Sequence, residues 1–275
     1  HVLFGRASFA PVVAVNDLDG SNDVRIVGVA DLDQSGRAIA LVGDVNGDGI
    51  DDLAIGAPGA DPGGNGEAGS TYVVFGSRDG ISAEIALAAL DGTRGFRLDG
   101  VAAADASGRA VSAAGDVNGD GIDDILVRAP TADAGGAVDS GAAYIVFGRG
   151  GGFAATLSLG ALDGSNGLRL DGVSAGDGAS GSFSAGWTAS AAGDFNGDGY
   201  GDVLIGANGA DPTPGVNDGA GASFVYYGSN LTGAVARQGG AGNDVLTGTS
   251  ADESLIGGLG DDTLDGAGGV DVLLG

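Results

Sequence analysis

Cysteine, methionine and lysine are absent from the 275 residues, and histidine occurs once, at position 1. Without cysteine there is no thiolate metal site, no thiol nucleophile and no disulfide from which to read a redox compartment. His1 has no partner beside it, so histidine-based acid–base chemistry, catalytic triads and zinc sites have no candidate. A chain without methionine that opens at His1 is expected to be processed, trimmed or part of something longer. No run approaches the roughly 18 apolar residues of a membrane span, and no basic segment leads into an apolar one at the start, so neither a span nor a signal peptide is expected. Positive charge is scarce as well: 11 basic residues, all arginine, stand against 37 acidic ones, a formal net charge of −26. Such a chain repels nucleic acid and anionic lipid and attracts cations.

Glycine, by contrast, is abundant. Fifty-nine glycines without a Gly-X-Y period exclude collagen and mark tight turns between short strands, which favours an all-β fold. The turns recur. Leu90–Val101 aligns with Leu162–Val173 at an offset of 72 residues, and more loosely with Leu18–Val29. The acidic stretch Gly43–Asp52 returns as Gly115–Asp124, 72 on, and as Gly193–Asp202 after a further 78, the extra residues lying around Gly181–Trp187. Three tandem units follow from this self-similarity. Within one unit the apolar runs Phe96–Leu98, Ala110–Ala114, Ile125–Val127 and Ala143–Phe147 read as a four-stranded antiparallel sheet, and Ile81–Leu90 carries a spacing compatible with a short helix between units.

An acidic loop followed by Ile55–Pro58 (Ile-Gly-Ala-Pro) and Val73–Gly76 (Val-Val-Phe-Gly) resembles the FG-GAP repeat, the blade unit of the β-propeller of integrin α subunits and of many bacterial surface proteins. The resemblance covers roughly residues 1 to 230 and implies propeller blades. Copy two keeps Ala129-Pro130 but has Arg128 in place of a glycine, and copy three reads Gly206-Ala-Asn208. The expected division is the end of an upstream repeat at 1–17, repeats at 18–89, 90–161 and 162–235, and a tail at 236–275. His1–Gly5 matches the closing strand Tyr72–Gly76, which is why an upstream repeat is expected.

In the acidic stretch Asp44, Asn46 and Asp48 alternate, so one tight loop can turn three side-chain oxygens inward, the carbonyl of Ile50 adds another, and Asp52 closes the site. The equivalents are Asp116, Asn118, Asp120, Ile122 and Asp124, then Asp194, Asn196, Asp198, Tyr200 and Asp202. Many hard oxygen donors select calcium over zinc or copper, and flexibility disfavours magnesium. An EF-hand needs glutamate at its twelfth position, where Ile55, Val127 and Ile205 stand. Plain Asn-Gly and Asp-Gly turns with acids facing water are the bland alternative, and three copies of the same five positions argue against it.

After Gly239 the period changes to nine, with leucines at 246, 255, 264 and 273. This resembles the glycine-rich RTX nonapeptide, which implies a parallel β-roll with calcium held in its turns by Gly240, Gly242 and Asp244, by Gly258, Gly260 and Asp262, and by Asp271. Asp244 and Asp262 are expected on one edge; a flexible glycine-rich tail is the alternative. The resemblance also implies type I export, which needs no N-terminal signal.

No catalytic residue is expected: carboxylates could serve a glycosidase or lyase, but most of the clustered ones are taken by calcium loops, Arg25, Arg97 and Arg169 repeat as blade architecture requires, and Tyr72, Tyr144 and Phe224 read as packing. Trp187 is the lone aromatic open to a ligand role. Two functions stay open, an extracellular structural or adhesive module that meets a protein, a glycan or copies of itself, and a non-catalytic accessory region of a larger secreted hydrolase.

Overall fold

A computed structural model describes residues 1–4, 23–78, 80–133, 137–172, 188–207, 221–233, 235–240 and 242–275. The insertion with Trp187, and Asn208, lie outside them. The short apolar runs form strands because glycine and aspartate turns interrupt them before any helical period can build. In chain order these are β1 (Val2–Leu3), β2 (Asp23–Val27), β3 (Ala38–Gly43), β4 (Asp52–Ala57), β5 (Ser70–Val74), β6 (Glu84–Ala86) and β7 (Gly95–Asp99). Next come β8 (Ala110–Gly115), β9 (Asp124–Ala129), β10 (Ala142–Val146), β11 (Thr156–Ser158) and β12 (Gly167–Asp171), then β13 (Thr188–Gly193), β14 (Asp202–Ala207) and β15 (Ala222–Tyr226).

β3, β4, β5 and β7 make one antiparallel blade, and β8, β9, β10 and β12 a second with the same hairpin order. The third has β13, β14 and β15 among the described residues. The four runs expected to share a sheet therefore divide between two. Phe96–Leu98 lies in β7 and pairs with β5, Val73 opposite Phe96, while the other three runs sit together in the next blade. Periodicity fixes the length of a repeat and leaves its starting strand free; here the first and second blades are each closed by a strand reached only after the following linker. Among the described residues those linkers hold no α-helix. Ile81–Leu90 becomes β6 and a single 3-10 turn, Leu87–Ala89. β6 pairs in parallel with β2, and β11 with β7, so each linker covers the outer edge of the preceding sheet. β1 pairs antiparallel with β2 as β5 does with β7.

The blades stack face to face. Ala54, Val73, Phe96 and Leu98 of the first meet Ile125, Val127, Tyr144 and Val146 of the second, and Leu126, Ala143 and Ile145 on the second blade's other face meet Val203 and Ile205 of the third. Each Val, Leu, Ile or Phe side chain among them, fully buried, contributes roughly 1.5–3 kcal/mol relative to exposure. Phe153, from the linker before β11, stacks on Phe96 with ring centroids 4.0 Å apart and ties the second blade to the first. The repeated arginines serve the sheets: Arg97 pairs with Asp99 and Arg169 with Asp171, each at 2.5 Å, opposite the buried Tyr72 and Tyr144. Arg128 is buried in β9.

The C-terminal region pairs only in parallel. β16 (Val235–Gln238), β18 (Ser254–Ile256) and β20 (Val272–Leu274) form one sheet, β17 (Val245–Thr247) and β19 (Thr263–Asp265) another. Leu246 lies opposite Leu264 and Leu255 opposite Leu273, partners 18 residues apart. Alternate nonapeptides thus stack on alternate sheets, which is a short parallel β-roll.

Candidate metal sites

Each acidic loop joins the first two strands of a blade, β3 to β4, β8 to β9 and β13 to β14, and all three adopt one geometry. In the first, Asp44 Oδ1 accepts from the Asp48 N–H (3.0 Å) and Oδ2 from Gly49 (2.6 Å), Asn46 Oδ1 accepts from Asp48 (2.9 Å), and Asp48 Oδ1 from Ile50 (2.9 Å). In the second, Asp116 accepts from Gly119, Asp120 and Gly121, Asn118 from Asp120, and Asp120 from Ile122. The third repeats this with Asp194, Asn196 and Asp198, whose Oδ1 accepts from Tyr200. The first, third and fifth side chains thereby turn over the loop they belong to, each carboxylate oxygen keeping acceptor capacity.

The ninth residue behaves differently, because it is buried. Asp52 accepts from Val45 (3.1 Å) and Gly76 (2.8 Å), Asp124 from Val117 (2.8 Å) and Gly148 (2.9 Å), and Asp202 from Phe195 (2.7 Å) and Gly228 (3.0 Å). One carboxylate thus clamps the start of the loop to the Phe-Gly or Tyr-Gly turn after the third strand. That turn requires glycine, since a Cβ at Gly148 would stand 2.3 Å from the Asp123 carbonyl oxygen. The sequence signal for this clamp is the recurrence of Phe-Gly or Tyr-Gly behind every loop.

Burial, reinforced by the nearby charges of Asp48 and Asp44, raises the Asp52 carboxyl to about 7, and burial lifts Asp116 to about 6. Asp124 is pushed well above the ordinary carboxylate range, again chiefly by burial, with Asp116 and Asp120 adding repulsion. Among the described residues, no three Asp, Glu, His or Cys side chains close into a ready cluster. The donor set is instead mixed, carboxylate, carboxamide and main-chain carbonyl. All of it is oxygen, and in the first two loops the carboxylates repel one another, which fits a hard cation such as calcium.

The loops also touch one another. Asp123 N–H donates to the Asp44 carbonyl (3.3 Å) and its carboxylate accepts from the Asp44 N–H (3.0 Å), while Gly201 N–H donates to the Asp116 carbonyl (2.7 Å). Three loops form one hydrogen-bonded row.

In the roll, Asp244 and Asp262 do lie on one edge, where Asp262 Oδ1 accepts from the Asp244 N–H (2.8 Å) and Asp244 Oδ2 from Gly240 (2.7 Å). Gly258 and Gly260 stack on Gly240 and Gly242, so close that a Cβ on Gly258 would stand 2.4 Å from the Gly240 oxygen. Asp262 Oδ2 is buried with no hydrogen-bond partner, which is the place a cation fits. Asp271 lies on the opposite edge and accepts from Glu253 (3.0 Å).

Comparison with known families matches residues 35–74, 107–146 and 185–226 to the FG-GAP repeat, and 238–273 to the RTX calcium-binding nonapeptide repeat. The chain carries three FG-GAP repeats and a C-terminal RTX region. Integrin alpha-PS5 of Drosophila melanogaster is 36% identical over 99 residues, 36% of this chain and 9% of that protein. The chain therefore spans a small part of that relative's length. The RTX repeats bind calcium, which the buried oxygen of Asp262 suits, and the FG-GAP loops offer the same ion five oxygen-bearing positions each. When bound, calcium would draw the first, third and fifth side chains of a loop together and cancel their repulsion.

Proposed function

We propose that this chain is a non-catalytic, calcium-stiffened module of the extracellular surface, exported by a type I-like route, which meets a protein or glycan ligand or further copies of itself. The observation that carries this reading is the hydrogen-bonded row of three loops, each at the same end of its blade. An ion in one loop would steady the next, so the stack becomes rigid only where calcium is plentiful. Extracellular modules work with calcium affinities of about 10⁻⁴–10⁻³ M, within reach of loops with this donor set. FG-GAP and RTX repeats are both typical of extracellular proteins, and no described helix is long and apolar enough to cross a membrane. The likeness to integrin α blades supports a role in adhesion over one in catalysis.

The blade faces support contact with another blade. Ile39 and Leu41 on β3 are 68% and 66% exposed, whereas the equivalent Val111 packs against the first blade. At the other end of the stack Leu204 is 38% exposed where the equivalent Leu126 is 0%. Apolar faces of this kind are covered in a propeller by the neighbouring blade. Light scattering of this chain in calcium is expected to report assemblies larger than one chain, smaller in EDTA. A compact monomer in calcium would contradict self-association through these faces.

A further inference from the structure

The β-roll is seated on the calcium loops of the second and third repeats. Ser254 Oγ donates to the carbonyl of Gly119 in a buried hydrogen bond of 2.6 Å. The hydroxyl of Tyr200, seventh residue of the third loop, donates to Gln238 Oε1 (3.3 Å), and Gln238 Nε2 donates to the Asp198 carbonyl (3.5 Å). Around these polar contacts Tyr200 packs with Val235, Ile256 and Leu274. The fit depends on loop glycines: a Cβ on Gly199 would stand 2.1 Å from Ile256, on Gly197 2.3 Å from Leu259, and on Gly121 2.5 Å from Val272. The first loop has a different neighbourhood, its Gly47 facing Ile122 and Gly150 and its Gly49 facing Arg78, which donates to the Gly49 carbonyl at 3.1 Å.

We infer that the FG-GAP loops of repeats two and three and the RTX roll are linked calcium sites, each set binding calcium more tightly when the other is filled. The inference rests on the calcium reading of the loops. Gly119 and Asp198 lie within their loops, so an ion that gathers Asp116, Asn118 and Asp120, or Asp194, Asn196 and Asp198, also fixes the carbonyls that receive Ser254 and Gln238. In the other direction, ions in the roll fix β16, β18 and β20, which carry Gln238, Ser254, Ile256 and Val272 to the loops. An interface formed fully only when both partners are ordered couples their ligands, and the coupling is reciprocal. The third loop uses Tyr200 where the others have isoleucine, and the wider ring is what reaches Gln238.

The test uses the full chain. Hydrogen exchange is followed by mass spectrometry in segments 44–52, 116–124 and 194–202 across a calcium titration. The variant Asp262→Asn disables the roll edge without touching a blade. It is expected to raise the calcium needed to protect 116–124 and 194–202 by about fivefold or more, the lower end of ordinary coupling, and to change 44–52 least. A second variant, Ser254→Ala with Leu259→Ala and Val272→Ala, removes docking contacts and no proposed ligand; it is expected to give the same loss with Asp262 intact. Should its circular dichroism reveal a lost roll, Tyr200→Phe, which deletes one hydroxyl, is expected to weaken protection in the same direction. Calcium protection that responds equally in all three loops, or that Tyr200→Phe leaves unchanged, overturns the linkage alone. No calcium protection anywhere overturns the linkage together with the calcium reading.

Discussion

In excess EDTA the chain is expected to melt roughly 10 °C below its midpoint in calcium, because a site held at tenfold its Kd adds about 1.4 kcal/mol and domains of this size shift about 2–4 °C per kcal/mol. Three blade loops supply about 4 kcal/mol on that basis, before any contribution from the roll. The charge pattern gives the direction. Asp52, Asp116, Asp120 and Asp124 are all raised, with burial the largest cause, so the folded chain holds carboxylates that are costly to ionise without a counter-ion. Magnesium is expected to restore far less, since it demands a tighter octahedral shell than these loops offer. Differential scanning calorimetry in EDTA, magnesium and calcium checks this, and superimposable traces would contradict it.

The second large effect is expected without any calcium. Asp124 is fully buried and holds the N–H groups of Val117 and Gly148, which are buried as well. Asp124→Ala leaves two unsatisfied donors at about 1–3 kcal/mol each, a loss of roughly 2–6 kcal/mol that should persist in EDTA. Asp120→Ala in the same loop removes a partly buried carboxylate that accepts from the Ile122 N–H and holds no buried main-chain clamp, so its cost is expected to appear mainly in calcium. Urea denaturation of both variants in both conditions separates clamp from ligand. An Asp124→Ala chain as stable as the parent in EDTA would show that the carboxylate serves the ion alone.

The contrast between these residues also marks what sequence could convey. The 72-residue offset, the loop residues Asp44, Asn46 and Asp48, and the nonapeptide leucines were legible because each repeats in the chain itself. The phase of the blade was not, since a run such as Phe96–Leu98 lies between equally turn-rich segments and could close the sheet before it or open the one after it. Pairing with Ser70–Val74 decides that question, and pairing is a matter of contact between strands, not of pattern. Asp52 looked like one ligand among five; its burial, and hence its hold on Gly76, depends on how the Phe-Gly turn folds over the loop. The seat of the roll was hidden for the same reason. Gly119, Gly121, Gly197 and Gly199 read as turn formers, and only their packing against Val235, Val272, Leu259 and Ile256 reveals a second use for the missing side chains.

Counting bound calcium tests most directly whether this is a calcium-loaded repeat protein. Equilibrium dialysis of the full chain at saturating calcium is expected to give at least four ions, one for each of the three loops and one or more at the Asp244–Asp262 edge of the roll. Asp48→Ala, Asp120→Ala and Asp198→Ala should each remove one. Because the loops are hydrogen-bonded in a row, the neighbouring site should weaken while remaining able to fill. A parent chain that binds no calcium, or a single substitution that empties every site at once, would contradict the structure's division into three separate loops and a roll.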